Sequence, residues 1–282
     1  MELKVFFKDI KFEHSLFALP FAYLGLFLAG RGWPGFSVFL GVTAAMVSFR
    51  TFAMALNRVV DREIDARNPR TLERALPQKK LTSQFAVCAV VFSVFLFLAS
   101  AWFLGTLCFL LSPIPILLAG IYPYLKRFTW LSHGVLGIIL GISPYGAWLA
   151  VKPEFSWVPG LLMVGVASWV AGFDIFYSLQ DLEFDRATGL WSVAVRFGMR
   201  PALWICALLH TIAFLSWAGA GKLAGLGGIY GSGLLVAGIF LLREHGLVHR
   251  FGLGKIQQAF FTLNAGISVA LFLAAVVDLY LL

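Results

Sequence analysis

Two groups of polar residues have the spacing that could bind metal ions. In both groups the polar side chains recur at every fourth position. They are Asn57, Asp61 and Asp65 in the first group, and Tyr177, Asp181 and Asp185 in the second. Residues four apart lie on the same face of a helix, so each group is predicted to form one row on a helix. The repetition after 120 residues predicts two facing helices in a pseudo-symmetric bundle.

Such acidic rows are unfavourable unless something neutralises them. Carboxylates four residues apart repel one another on a helix, and carboxylates at a membrane boundary are costly unless they pair or bind cations. Mg²⁺ prefers oxygen ligands and commonly binds a few carboxylates together with substrate phosphates. We therefore expect the two groups to bind two Mg²⁺ ions with an anionic diphosphate between them. The alternative is a solvated loop face whose acids pair with the neighbouring Arg58, Arg62, Arg67 and Arg186.

Basic side chains near the acidic groups could bind the phosphates. They are Arg67, Arg70 and Arg74 after the first group, and Lys126 and Arg127 at the end of an apolar stretch. Arginine binds phosphate oxygens as a bidentate fork, whereas lysine acts as a point charge. Each of these residues could instead be part of the positive charge that flanks membrane spans on the cytoplasmic side.

Arg50 is a separate candidate because it lies within an apolar stretch, two helical turns before Asn57. An arginine inside a membrane span indicates a functional site by default. Arg50 could bind the carboxylate of an acidic substrate, or it could pair with an acid inside the bundle.

The composition places these residues in a membrane protein. Hydrophobic residues make up 60% of the 282 residues, charged residues 13%, and the mean hydropathy is +0.87. A water-soluble enzyme is excluded, since soluble domains are usually about 45–50% apolar and about 25% charged. We predict an all-α, polytopic membrane protein with nine spans. The spans are 15–31, 35–56, 84–103, 104–122, 130–151, 157–178, 200–220, 223–242 and 260–281.

The distribution of charge predicts how the chain crosses the membrane. Eighteen of the 22 Lys and Arg residues fall in the N-terminal segment and in alternate connections between the spans. Positive charge close to span ends marks the cytoplasmic side. We therefore expect a bacterial cytoplasmic (inner) membrane protein with a cytoplasmic N-terminus and with both acidic groups near the cytoplasmic side. The net charge of +8 then reflects topology and attraction to membrane lipid rather than binding to nucleic acid.

Four stretches of the sequence resemble the UbiA family of intramembrane prenyltransferases, in order and across the whole chain. They are NRVVDREID, RNPRTLERALP, YPYLKRFTW and DIFYSLQDLEFDRATGLWSVAVRFG. The pattern is most similar to that of the 4-hydroxybenzoate polyprenyltransferases and their relatives in quinone pathways. Two departures are Arg58, where many members have Asp, and Ala75, where many have Pro after the arginine.

The resemblance implies a single domain over residues 1–282, with nine transmembrane helices around a central cavity beneath a cytoplasmic cap. It implies that two Mg²⁺ ions bind at the two acidic motifs. The metal ligands would be Asn57, Asp61, Asp65, Asp181 and Asp185, and the four aspartates would be the catalytic residues. The substrate-binding residues would include Arg70 and Lys126 for the diphosphate, Arg50 for an aromatic acid, and Asp174 and Tyr177 in the second motif.

The predicted reaction is prenyl transfer from a polyprenyl diphosphate to the ring of 4-hydroxybenzoate, in ubiquinone biosynthesis, without an obligate protein partner. An alternative acceptor is 1,4-dihydroxy-6-naphthoate, in the futalosine route to menaquinone. A further alternative keeps the family but changes the acceptor to haem, a chlorophyll precursor or a glycerol ether. A transporter or cation channel that uses the acidic groups is an alternative of another class. Transporter sites, however, usually lie near the bilayer midplane, whereas these acids lie at predicted span ends.

Overall fold

The computed structural model describes residues 2–11, 15–251 and 256–281, and no β-strand occurs in these ranges. The all-α prediction is therefore confirmed for the described chain. The helices are α1 (Glu2–Asp9), α2 (Ser15–Gly30), α3 (Phe36–Val60), α4 (Arg62–Asp65), α5 (Ser83–Leu104), α6 (Thr106–Leu111), α7 (Pro113–Leu125), α8 (Ser132–Leu149), α9 (Trp157–Ser178), α10 (Leu182–Thr188), α11 (Val193–Phe197), α12 (Met199–Ala224), α13 (Gly228–Phe251) and α14 (Ile256–Leu281).

Seven segments of the described chain are long and apolar enough to cross a membrane. They are Phe36–Val60, Ser83–Leu104, Thr106–Leu125, Trp157–Thr188, Met199–Ala224, Gly228–Val248 and Thr262–Leu281. Each of the nine predicted spans overlaps a helix, but two do not belong to this set. The apolar part of α2, Ala18–Gly30, is shorter, and α8 corresponds to the fifth predicted span. The chain is an integral membrane protein, and the count of nine spans stays a prediction.

Local sequence explains where several of these helices begin and end. Thr82 precedes α5 and its hydroxyl accepts the Phe85 N–H at 3.2 Å, which satisfies one of the free N–H groups of the first turn. Ser156 caps α9 in the same way, by accepting the Val158 N–H. Gly105 lies between α5 and α6 with φ 127°, which is outside the helical range. Glycine is favoured at this position because this conformation is unfavourable for residues with a side chain.

The bundle is centred on α9, which packs between α8 and α12. Close approach of α8 depends on small residues, since a Cβ at Gly137 would lie 2.2 Å from the Ala167 carbonyl oxygen of α9. The rings of Phe21, Trp169 and Trp217 pack together between α2, α9 and α12. These contacts fix α9, which carries the second acidic motif at its end.

A cavity of about 1190 Å³ lies between α3, α7, α8 and α9. Much of its wall is apolar, with Phe49, Leu118 and Ile139 among the lining residues. Short helices and turns form the connections at its polar end, residues 61–82 and 179–198. A hydrogen bond from the Trp191 N–H to the Lys126 carbonyl, 2.7 Å long, joins the second connection to the end of α7.

Candidate active site in the cavity

The first acidic motif lies at a break between two helices. Asn57 is in the last turn of α3, Asp61 lies between α3 and α4, and Asp65 is the last residue of α4. Asp61 has φ −89° and ψ 1°, which is outside the α-helical range. The regular helix is interrupted at Asp61, although the Asp61 N–H still donates to the Asn57 carbonyl at 3.0 Å and the Asp65 N–H to the Asp61 carbonyl at 2.8 Å.

The second motif is broken at the corresponding position. Helix α9 ends at Ser178, a 3₁₀ turn covers Leu179–Asp181, and α10 starts at Leu182. Asp181 has φ −100° and ψ 4°, close to the angles of Asp61. Tyr177, Asp181 and Asp185 all line the cavity. Both motifs nevertheless line the same cavity, as the sequence repetition predicts.

Asp61 is almost completely buried and binds a lysine from another helix end. The Lys126 Nζ donates to Asp61 Oδ2 at 2.5 Å, and Asp61 has an exposed side-chain fraction of 2%. Burial raises the pKa of the Asp61 carboxyl, whereas the charge and hydrogen bond of Lys126 oppose this rise. Asp61 Oδ1 is buried and has no hydrogen-bond partner among the described residues.

Asp181 binds an arginine from the first connection. Arg70 Nε donates to Asp181 Oδ1 at 2.8 Å and its NH2 group donates to Oδ2 at 2.5 Å, so the contact is a bidentate fork. Asn68 Nδ2 also donates to Asp181 Oδ1, at 3.0 Å. Burial disfavours the charge of Arg70, but the bond to Asp181 outweighs this effect and raises the pKa of Arg70. This contact joins the two motifs across 111 residues of sequence.

Asp65 completes a third acid–base pair. Its Oδ2 accepts a hydrogen bond of 2.6 Å from Arg74 NH1, and its side chain is 5% exposed. The Thr71 hydroxyl donates to the Asp65 carbonyl at 3.1 Å and ties the following turn to α4. These pairs differ from the alternative prediction, in which the acids pair with their sequence neighbours such as Arg62. Arg62 instead lies 3.8 Å from the exposed Glu63.

The arrangement offers oxygen ligands for a cation, but not a closed protein cage. In the described ranges no group of three or more His, Cys, Asp or Glu side chains has the arrangement of a metal site. Mg²⁺ does not require one, since it usually binds one or two carboxylates and takes the remaining ligands from water and substrate phosphates. The unsatisfied Asp61 Oδ1 and the nearby carboxylates fit such a partial ligand set.

The remaining predicted residues line the cavity as well. They are Arg50, Asn57, Asp174, Tyr177 and Asp185. The Arg50 guanidinium donates to the carbonyls of Ile10 and Lys11, at 3.3 and 3.1 Å, so Arg50 also contacts the end of α1. Arg67 and Arg70 are both exposed, but Arg70 and Arg74 line the cavity and Arg67 does not.

Two contacts near the site were not predicted. His133 of α8 lies with Nδ1 2.7 Å from Asp174 Oδ2, and the His133 side chain is 7% exposed. Arg58 is also buried, and its Nε lies 3.3 Å from Asp9 Oδ2 of α1. The partners are separated by 41 and 49 residues, so sequence spacing carries no signal for either pair.

The fold and this site define an integral membrane protein with a cavity that is apolar along its walls and charged at one end. Comparison with known protein families then identifies the family to which the chain belongs. The UbiA prenyltransferase family matches residues 18–266, and the chain belongs to this family. The resemblance of the motifs is therefore confirmed, and the chain is an enzyme of the prenyl-transferring class.

Individual relatives agree with this assignment. The 4-hydroxybenzoate octaprenyltransferase of Edwardsiella ictaluri is 31% identical over 266 residues, which cover 94% of this chain and 92% of the relative. The enzyme of the same name from Tolumonas auensis is 31% identical over 229 residues, with 80% of this chain and 79% of the relative covered.

Solved structures show the same fold. A UbiA homologue from Aeropyrum pernix K1, in its apo form, is 32% identical with a TM-score of 0.85, covering 94% of this chain and 98% of that chain. A UbiA homologue from Archaeoglobus fulgidus bound to GPP and Mg²⁺ has a TM-score of 0.73 at 18% identity, covering 98% of this chain and 99% of that chain.

Proposed function

We propose that this chain transfers a polyprenyl group from a polyprenyl diphosphate to the ring of 4-hydroxybenzoate, in a reaction that depends on Mg²⁺. The product would be a 3-polyprenyl-4-hydroxybenzoate for ubiquinone biosynthesis. The observation that carries the proposal is one cavity with an apolar wall and an end lined by paired acids and bases. The names of the curated relatives support the acceptor, and the GPP and Mg²⁺ bound by the Archaeoglobus homologue support the donor and the metal.

The charged end is suited to a diphosphate that arrives with divalent cations. Lys126 and Arg70 are bound to Asp61 and Asp181, so their charges are balanced before substrate binds. A metal diphosphate presents both signs of charge, and each partner of a pair can then bind the opposite charge on the ligand. Arg70 and Lys126 would bind phosphate oxygens. The four motif aspartates and Asn57 would bind two Mg²⁺ ions, which when bound stabilise the charge on the departing diphosphate.

The apolar part of the cavity suits the prenyl chain and its chemistry. As the bond from the allylic carbon to the diphosphate oxygen breaks, its electrons leave with the diphosphate and the carbon becomes cation-like. Side chains such as Phe49, Leu118 and Ile139 exclude water from this carbon. The ring carbon next to the phenolic hydroxyl then forms the new bond, and the ring proton is lost to a base.

The acceptor would bind beside the donor through its polar groups. Arg50 lines the cavity from α3 and would bind the carboxylate of the aromatic acid. Asp174 and Tyr177 line the wall formed by α9 and would contact the ring hydroxyl.

The membrane arrangement is part of the same proposal. Nine helices, including α2 and α8, would cross the cytoplasmic membrane of a bacterium as a single domain over residues 1–282. The connections at residues 61–82 and 179–198 would form a cap on the cytoplasmic side, where the aromatic acid arrives from water and the diphosphate group of the donor is exposed. A lipid-facing cavity lets the prenyl tail and the product remain in the bilayer, and no obligate protein partner is needed.

A comparison of two acceptors tests the proposal. Membranes containing the chain would receive geranyl diphosphate with 4-hydroxybenzoate or with 1,4-dihydroxy-6-naphthoate, with and without Mg²⁺, and products would be identified by mass. We expect Mg²⁺-dependent product from 4-hydroxybenzoate. Product from the naphthoate alone would retain prenyl transfer and contradict the acceptor. Absence of both products from a folded, Mg²⁺-supplied preparation would contradict the proposed reaction.

A further inference from the structure

Helix α1 has one face that the bundle leaves uncovered. Phe6 and Ile10 are 3% and 1% exposed and pack against Ala55, Leu76 and other residues near the ends of α3 and α5. Leu3 and Phe7 are 57% and 38% exposed. At 3.6 residues per turn, these two residues lie beside the buried pair on the helix surface. Helix α1 therefore has a continuous apolar side, one half of which is buried while the other half is partly exposed.

A row of lysines borders the exposed apolar half. Lys4 and Lys8 are one turn apart, both are exposed, and neither has an ion-pair partner in the described ranges. The acids of the helix point the other way. Asp9 binds Arg58, and Glu2 Oε1 accepts the Thr82 N–H at 3.0 Å. The outer surface of α1 is consequently basic and apolar, while Glu2 and Asp9 contact other parts of the protein.

Such a surface matches one partner in an integral membrane protein. A short helix with exposed apolar side chains next to lysines binds at the boundary between acyl chains and headgroups. Lysine side chains extend their charge toward the headgroups while their stems cover apolar surface. Lysines near the surface attract anionic lipid, and this attraction weakens with added salt. Leu3 and Phe7 would then lie in the acyl region beneath them.

We infer that the outer surface of α1, formed by Leu3, Lys4, Phe7 and Lys8, binds the anionic lipid leaflet. The binding has a direct structural connection to the cavity. Arg50, which lines the cavity, donates to the Ile10 and Lys11 carbonyls at the C-terminal end of α1. A cation at this end of a helix is favoured by the helix dipole. Attachment of α1 to the leaflet thus fixes the segment that orients Arg50.

Amide hydrogen exchange of residues 2–11 tests the inference without an activity assay. The full chain would be placed in nanodiscs of phosphatidylcholine, alone or mixed with phosphatidylglycerol. We expect exchange in α1 to slow about tenfold in the anionic nanodiscs, because each lysine near the surface adds to the attraction. The protection should decrease as salt is added. Identical exchange in both lipids would overturn the inference.

Three variants and one additive make the result specific. Lys4→Gln with Lys8→Gln should remove the response to phosphatidylglycerol, whereas Lys4→Arg with Lys8→Arg should retain it. Lys222→Gln changes an exposed lysine in the last turn of α12 and should leave the response of α1 intact. Loss of the response in the Lys222 variant, or equal protection by inorganic phosphate added to neutral nanodiscs, would overturn binding to the leaflet. None of these outcomes depends on prenyl transfer.

Discussion

Asp61 and Asp181, which are 120 residues apart, occupy equivalent breaks in the two motif-bearing segments of the bundle. Each follows a long helix, precedes a short one, and has backbone angles outside the helical range, φ −89° and ψ 1° against φ −100° and ψ 4°. Each carboxylate also binds a basic side chain from a different part of the chain, Lys126 or Arg70. The two aspartates are therefore equivalent in backbone geometry as well as in sequence.

This equivalence predicts similar effects of removing either charge. Asp61→Asn and Asp181→Asn keep the side-chain volume and should each lower kcat for prenyl transfer at least about 100-fold, since each removes a proposed ligand of the Mg²⁺ ions that would stabilise the departing diphosphate. Steady-state assays in detergent or nanodiscs would measure the loss. Glu63→Gln is the matched control, because Glu63 is 80% exposed and is not part of the cavity wall. Near-normal kcat in either Asn variant would contradict the assignment.

The fork between Arg70 and Asp181 predicts a specific defect in donor binding. Arg70→Lys keeps the charge but removes the two parallel N–H donors. We expect KM for the prenyl diphosphate to rise about tenfold, because one charge-assisted hydrogen bond is lost. Arg67→Lys should leave KM unchanged, since Arg67 is exposed and outside the cavity wall. An equal rise in both variants would show that the change in KM does not depend on the fork of Arg70.

The buried pair between Arg58 and Asp9 predicts an effect on stability. Arg58→Met leaves the Asp9 carboxylate buried without its cation, which should lower the unfolding free energy by about 3–5 kcal/mol. Unfolding in mixed micelles, followed by circular dichroism, would measure the change. The double variant Arg58→Met with Asp9→Asn removes the isolated charge and should recover much of the stability. A double variant no more stable than Arg58→Met would contradict this explanation.

The environment of Asp61 predicts how activity depends on pH. Burial raises the pKa of Asp61, so its carboxyl becomes protonated at a higher pH than an ordinary aspartate does. Activity that needs the ionised form should therefore fall as pH decreases, beginning above the usual value of about 3.9. Lys126→Met removes the charge that lowers this pKa, so the acidic limb of kcat/KM should move to higher pH. An acidic limb that stays at the same pH in Lys126→Met would show that Asp61 is not the group whose protonation lowers kcat/KM.

The sequence predicts the helices and the composition of the site because both depend on local patterns. Long apolar runs require helices in a membrane. The repeated motif, with a polar residue at every fourth position, predicts that Asp61 and Asp181 meet, and both line one cavity. The helix breaks at these residues are not predictable from the sequence spacing. A continuous helix and a broken helix can both have a polar residue at every fourth position. Tertiary packing determines which one forms.

The partners of individual side chains are the part that sequence does not predict. Arg70 binds Asp181 across 111 residues, and His133 binds Asp174 across 41, because different helix ends meet at the cavity. Arg58 follows Asn57 directly, and the alternative of a solvated loop face predicts that it pairs with a neighbouring acid of the motif. The structure instead pairs its charge with Asp9 of α1. These contacts depend on how the whole bundle packs.

The central claim is that the paired acids and bases at the end of the cavity support Mg²⁺-dependent prenyl transfer. The most direct measurement is a Mg²⁺ titration of geranyl transfer to 4-hydroxybenzoate by the purified chain in nanodiscs, with the product quantified by mass. We expect that product increases with Mg²⁺, disappears with a chelator, and does not form in the Asp61→Asn, Asp181→Asn double variant. Equal product formation after chelation, or by the folded double variant, would contradict it.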